Sequence, residues 1–169
     1  MKILITGVPG TGKSTLAKYL KTKLNFELVE LNNTAKKFKI KKDKWGALIV
    51  DIKKTEKELN ILLENKDNII LDGHLGCDMK LNVDKVFVLR CNPKILKKRL
   101  IKRKYPEDKI MENIEAEMID YALVRCEDNY EKRNIPVIEM MGTKSVKAYS
   151  LKEIKTKKSK KINLDWLSK

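Results

Sequence analysis

Residues 7–15 read GVPGTGKST, which fits the pattern G-x-x-x-x-G-K-[ST]. The chemistry of that pattern is polyphosphate capture. Gly7, Gly10 and Gly12 allow backbone conformations and close approaches that a Cβ blocks, so successive N–H groups can turn toward phosphate oxygens. A helix starting just beyond them adds the positive end of its dipole. Lys13 is then placed to reach the β- and γ-phosphates of a nucleoside triphosphate such as ATP. Ser14 offers a hydroxyl to Mg²⁺, and Thr15 lies on the α-phosphate side. A second group with chemical potential is NIILDGHLGCD at residues 68–78, where Asp72 closes an apolar run and His74, the only histidine, follows two residues later.

These residues need elements to hold them. KILIT (2–6) is a continuously apolar, β-rich run, as expected of a strand buried on both faces. Leu16, Ala17, Leu20 and Leu24 recur at helical spacing over 13–24. FELVEL (26–31), NIILD (68–72), KVFVLR (85–90) and IPVIEM (135–140) read as further strands. Residues 51–65 fit a helix with Leu59, Leu62 and Leu63 as its apolar stripe. Asn92-Pro93 is a helix start, with a capping side chain and then proline at the first helical position. That helix runs to about Arg103, and Tyr105-Pro106 interrupts the chain. One long helix is predicted next, with Ile110, Ile114, Met118, Tyr121, Ala122 and Arg125 on one face. Residues 32–50 are mixed and basic and give no clear period. The alternation predicts an α/β fold: one domain, a central, mostly parallel five-stranded sheet, and helices on both faces.

The chain has 169 residues, enough for one domain with one hydrophobic core, and its net charge is +15. Residues 36–54, 94–104 and 144–169 concentrate the lysines. Two readings stand for this charge. One is an anionic partner such as phosphates or RNA; the other is a set of solvated, lysine-rich faces. The run KTKKSKK near 155–161 predicts a mobile, like-charged tail (152–169), ending in the apolar INLDWL. Cys77, Cys91 and Cys126 show no metal-ligand spacing and read as buried free thiols. No apolar run is long enough to span a bilayer, so no membrane partner is expected. The sequence opens directly into a strand without a signal peptide, which predicts a cytoplasmic protein.

Which P-loop class remains can be narrowed. A GTPase carries D-x-x-G and N-K-x-D, and here residues 65–68 read NKDN. RecA-like motors need a larger domain. Small kinases remain. At this point the chain resembles the adenylate kinase 6 family, on GVPGTGKST, LDGH with Asp78 close behind, VFVLR, and RLIKRKY followed by NIEAE.

The resemblance implies a P-loop nucleoside monophosphate kinase fold, ATP and Mg²⁺ as cofactors, AMP as acceptor, and the reaction ATP + AMP = 2 ADP, with ATPase activity beside it. It also implies an alternative: an ATP-hydrolysing assembly factor that binds a small-subunit ribosomal protein and rRNA. The family's second nucleotide-handling motif falls on Asp72 and His74. A carboxylate at the C-terminal end of a central strand can order Mg²⁺, while capping a backbone turn is the other reading for Asp72. His74 can hydrogen-bond a phosphate or orient an attacking hydroxyl or water, or only satisfy local hydrogen bonds.

By the same resemblance, residues 30–53 form the acceptor-side segment and 102–112 the lid. Arg103 is the residue expected to close on the ATP phosphates, with Arg99 and Lys104 beside it, because a guanidinium fork can make two hydrogen bonds. Two positions depart from the family. Lys36 stands where an arginine often meets the AMP phosphate, and Lys104 stands where glycine commonly precedes the lid tyrosine.

Overall fold

The computed structural model describes residues 1–46, 48–143, 146–162, 164 and 166. Strand β1 (Lys2–Thr6) runs through the centre of the molecule and leads into the glycine-rich loop and helix α1 (Lys13–Leu24). Next come β2 (Glu27–Glu30), α2 (Leu31–Ala35), β3 (Lys39–Lys42), β4 (Leu48–Val50), α3 (Ile52–Glu64) and β5 (Ile69–Asp72). After β6 (Lys85–Arg90) follow α4 (Pro93–Lys102), α5 (Glu107–Met118), α6 (Tyr121–Asn129), β7 (Val137–Met141) and α7 (Val146–Glu153). The main sheet has five strands in the order β2-β5-β1-β6-β7, and every pairing in it is parallel.

Alternation along the strands splits the core into two layers. Leu4, Leu71, Val86 and Val88 face Leu59 and Leu63 of α3 and Ala122, Leu123 and Cys126 of α6. Ile3, Ile5, Phe87 and Leu89 face Leu16, Ala17 and Leu20 of α1, with Val146 and Leu151 of α7 packed against them. Both faces are therefore covered, which explains why the central strands are apolar without a break. A third cluster, in which Val8 and Cys91 meet Leu96, Leu100, Ile110 and Ile114, roots α4 and α5 beside the loop. All three cysteines are buried and free.

The boundaries mostly follow the sequence, with informative exceptions. Asn92 caps α4 by accepting from the Lys94 N–H at 3.0 Å, and Asp51 caps α3 by accepting from the Lys54 N–H at 3.0 Å. β2 stops at Glu30, because Leu31 already begins a helix. The basic stretch 32–50 contains the antiparallel hairpin β3–β4.

The long helix expected after Pro106 is two helices, broken where Asp120 takes a left-handed conformation at φ 57°. The cause lies across the fold. Arg90, at the end of β6, is fully buried and gathers three carboxylates: Glu117 at 2.8 Å, Glu139 at 2.6 Å, and Asp120. Arg90 Nη2 also donates to the Glu117 carbonyl oxygen at 3.0 Å, an acceptor that a continuing helix would give to the Tyr121 N–H. Arg90→Met would leave Glu117 and Glu139 buried without a cation. The expected result is a loss of about 3–5 kcal/mol, read as a lower denaturant midpoint at unchanged m-value.

The tail differs from expectation. Lys160 accepts from the Glu139 N–H at 2.8 Å and donates to Val137 O at 2.9 Å, so this stretch runs parallel to β7. Glu153 holds the Lys160 ammonium at 2.7 Å, and Glu127 holds Lys161 at 2.7 Å. The like charges are thus partly neutralised by acidic groups brought from elsewhere. Of INLDWL, the residues Asn163, Asp165 and Leu167 lie outside the described residues. No described helix is long and apolar enough to cross a membrane.

Candidate active site

The glycine-rich loop sits at the C-terminal edge of the sheet, where β1 ends. Gly7 has φ 135°, and a Cβ there would lie 2.3 Å from the Leu89 carbonyl oxygen, so no other residue fits. Gly12 has φ 108° and begins α1 with open space around it. Its openness leaves room for a ligand above the helix N-terminus.

Lys13 is buried and folds back on the loop, donating to Val8 O at 2.9 Å. Burial holds its pKa down at about 8; Asp72 opposes the shift and Arg103 adds to it. The Ser14 and Thr15 side chains are exposed on the open side of the loop. The Ser14 hydroxyl lies beside the Asp72 carboxylate, near enough to favour its charged form.

Asp72 ends β5, in register with Ile5 of β1 and Glu30 of β2. The residue is 6% exposed, and its Oδ1 is buried without a hydrogen-bond partner among the described residues. Burial raises its pKa, while the Ser14 hydroxyl and Lys13 pull it down. A buried, unpartnered carboxylate oxygen next to a serine hydroxyl fits a Mg²⁺ that takes few protein ligands and completes its shell with phosphates and water.

His74 opens a short 3-10 turn, and its carbonyl accepts from Thr6 Oγ1 at 3.2 Å. Burial first, then the Lys13 charge, lowers its pKa to about 4, against the pull of Asp78. The imidazole is therefore neutral at physiological pH. It can accept one hydrogen bond and donate another, and it brings no positive charge.

Three hollows meet at these residues. A cleft of about 760 Å³ is bounded by Gly10, Gly12, Thr15, Arg103, Thr143 and Val146. A second hollow of about 660 Å³ lies between the β3–β4 hairpin and the α4–α5 region, with Lys36, Trp45, Leu75, Lys104 and Tyr105 on its walls. A smaller one of about 330 Å³ holds Lys13, Ser14, Asp72 and His74. His74 lines both the second and the third, and Arg103 lines all three. The sequence-derived residues are thus brought together around one junction.

Several details were not legible beforehand. Arg99 directs its guanidinium to backbone, with Nη1 donating to Gly10 O at 3.1 Å and Nη2 to Gly142 O at 3.3 Å. It braces the loop against the end of β7. Lys104 lines the second hollow and is absent from the walls of the first. Its φ of 57° lies in the left-handed region, which accounts for a glycine preference at this position and costs a lysine about 1 kcal/mol. Trp45 was not singled out at all. Thr143 and Val146 are at the C-terminal edge of β7, a place where open α/β sheets bind ligands, and that position was the available signal.

Comparison with known proteins bears on the family and the fold. The AAA domain family matches residues 3–120. A protein named "Putative adenylate kinase" from Methanocaldococcus jannaschii is 37% identical over 100% of this chain and 94% of its own length. One of the same name from Pyrococcus abyssi is 40% identical over 91% of this chain and 82% of its own. Among solved structures, deoxyadenosine kinase from M. mycoides with bound dATP superposes with a TM-score of 0.56 at 18% identity, covering 92% of this chain and 100% of that one, which speaks to the fold alone. With a P-loop, a five-stranded parallel sheet and archaeal relatives of this identity along its whole length, the chain belongs to the adenylate kinase family that its LDGH and VFVLR stretches resemble.

Proposed function

We propose that the protein transfers the γ-phosphoryl group of ATP to AMP, giving two ADP, and hydrolyses ATP slowly when no acceptor is bound. The observation that carries this reading is the pair of large hollows joined through the small one that holds Lys13, Asp72 and His74. One reactant fits on each side, with the transferred group between them. Phosphoryl transfer asks mainly for positioning and for charge around the migrating group.

The loop N–H groups and Lys13 hold the donor's β- and γ-phosphates, with Thr15 toward the α-phosphate. Arg103, reaching all three hollows, neutralises charge as the group moves. His74, neutral, donates its ring N–H to the attacking phosphate oxygen of AMP, or accepts a hydrogen bond from water with its other nitrogen when AMP is absent. Ser14 and Asp72 would hold Mg²⁺, which supplies charge neutralisation across the phosphates when bound. In the second hollow, Lys36 meets the AMP phosphate, and Trp45, Leu48, Ile49 and Leu75 offer an apolar wall to the nucleoside.

ADP formation across a panel of acceptors tests the proposal: AMP, other nucleoside monophosphates, a nucleoside and shikimate. AMP is expected to stimulate turnover at least about tenfold over ATP alone. Equal turnover with and without AMP would overturn it. Lys36→Arg, which restores bidentate phosphate contact, should lower the KM for AMP about threefold to tenfold at similar kcat.

A second reading rests on a separate observation. All four residues of β3, KIKK, are exposed, and so are Lys94, Lys97, Lys98 and Lys102 on α4. Such a surface suits salt-sensitive contact with rRNA in a small-subunit ribosomal complex, with ATP hydrolysis as the activity. AMP-independent turnover accelerated by rRNA or a ribosomal protein would favour it.

A further inference from the structure

The β3–β4 hairpin and the lid face each other across the proposed acceptor hollow, and they touch. At the hairpin tip Asp43 shapes a tight turn. Its Oδ1 accepts from the Trp45 N–H at 2.9 Å, and its carbonyl accepts from the Gly46 N–H at 3.0 Å. This fixes the backbone that carries the indole. Two ammonium groups lie over the ring, Lys44 at 4.2 Å and Lys109 at 4.6 Å from its centroid. Lys109 belongs to α5, on the other side of the hollow. Its Nζ is also 3.7 Å from Asp43 Oδ2, and a reciprocal pair joins Lys44 to Asp108 at 3.7 Å.

The Lys109 and Asp43 side chains are only 26% and 18% exposed, so solvent and salt screen this pair less than an ordinary surface pair. Lys109 is itself steadied on α5 by Glu112 at 2.8 Å.

We propose that Lys109 latches the lid to the acceptor-side arm by gripping Trp45 and Asp43, so that the two segments close over the acceptor as one body. The inference rests on the reading of the second hollow as the acceptor site. Its physical content is a coupling. Donor phosphates draw the lid inward through Arg103, and the latch carries the arm with it. Donor binding therefore raises acceptor affinity, and by linkage the acceptor raises donor affinity equally. A shut arm also keeps water from the transferred group, which suppresses hydrolysis. Lys109 is a positioning residue in this scheme, acting through the arm.

The test uses the full chain carrying Trp166→Phe, which leaves Trp45 as the only indole. The probes are a non-hydrolysable ATP analogue with Mg²⁺, and AMP. The analogue alone is expected to shift Trp45 emission in this parent and in Lys109→Arg, and to leave it unchanged in Lys109→Met. With the analogue bound, Lys109→Met should bind AMP about threefold to tenfold more weakly than the parent, the scale of one cation–π contact and one ion pair. Without the analogue, the two should agree within about twofold. Phosphate released per ADP formed should rise in the same variant.

The proposal is overturned if the analogue does not move Trp45 emission in the parent, or still moves it in Lys109→Met. It is also overturned if Lys109→Met weakens AMP equally with and without the analogue, which makes Lys109 a simple acceptor contact. Failure of the parent to bind AMP would instead sink the acceptor assignment, while the emission measurement, needing no acceptor, still decides the latch.

Discussion

Lys13→Met is expected to lower kcat by at least about 10²–10³-fold while raising the stability of the free protein. The two effects share one cause. Among the described residues the buried Lys13 ammonium has a single hydrogen bond, to Val8 O. Burial has drawn its pKa from 10.5 to about 8, so the charged form is disfavoured in the folded state by about 3 kcal/mol. Methionine has a similar stem without the charge and removes that penalty. A polyphosphate in the loop supplies the missing counter-charge, which is why a costly cation is kept there.

The pH dependence follows from the sign of the shift. Between about pH 8 and 10.5 the unfolded chain holds a proton on Lys13 that the folded chain has released. Stability of the free protein therefore rises with pH across that window and is flat in this contribution below it. Nucleotide binding runs the other way. Bound phosphates raise the Lys13 pKa, so binding takes up a proton above about pH 8 and affinity falls as pH climbs. Calorimetry at pH 8.5–9 in two buffers of different ionisation enthalpy reads the proton uptake directly. The uptake should vanish in Lys13→Met. A pH-independent nucleotide affinity in the parent would mean that Lys13 is not the group holding the phosphates.

How much of this was written in the chain depends on how local each cause is. β1, β5 and β6 were legible because a strand buried on both faces must be apolar throughout, as ILI, IIL and VFVL are. The glycine-rich loop was legible because its conformation is set within a few residues. The β3–β4 hairpin was not, since KIKK is exposed on both faces and carries no alternation. The break at Asp120 was invisible for the opposite reason. Its sequence is a good helix, and a buried arginine on β6 overrides the period.

The site divides along the same line. Lys13, Ser14, Asp72 and His74 could be named from motifs, since each motif is a local instruction. Arg99's attachment to loop carbonyls and Trp45's place under Lys109 arise only when distant segments meet. The two large hollows likewise have walls from four or more elements, so their existence could be expected from the fold while their residues could not.

Asp72→Asn should separate metal handling from nucleotide binding. The substitution keeps shape and the capacity to accept from Ser14, and removes a charge that burial already disfavours, so the fold is expected to hold or gain stability. What it removes is the anionic oxygen that has no partner among the described residues. If that oxygen serves Mg²⁺, the variant should lose about 10²–10³-fold in kcat and need more Mg²⁺ to reach half of its remaining rate. The sign of nucleotide binding should then invert. Without metal, a carboxylate beside the phosphates repels them, so ATP alone should bind the variant more tightly than the parent. With Mg²⁺ present, the parent should win. Titration of ATP with and without Mg²⁺ on both proteins reads this crossover. If Asp72→Asn weakened ATP equally in both conditions, Asp72 would be a structural end to β5, and the metal would have to be held by Ser14 and the phosphates alone.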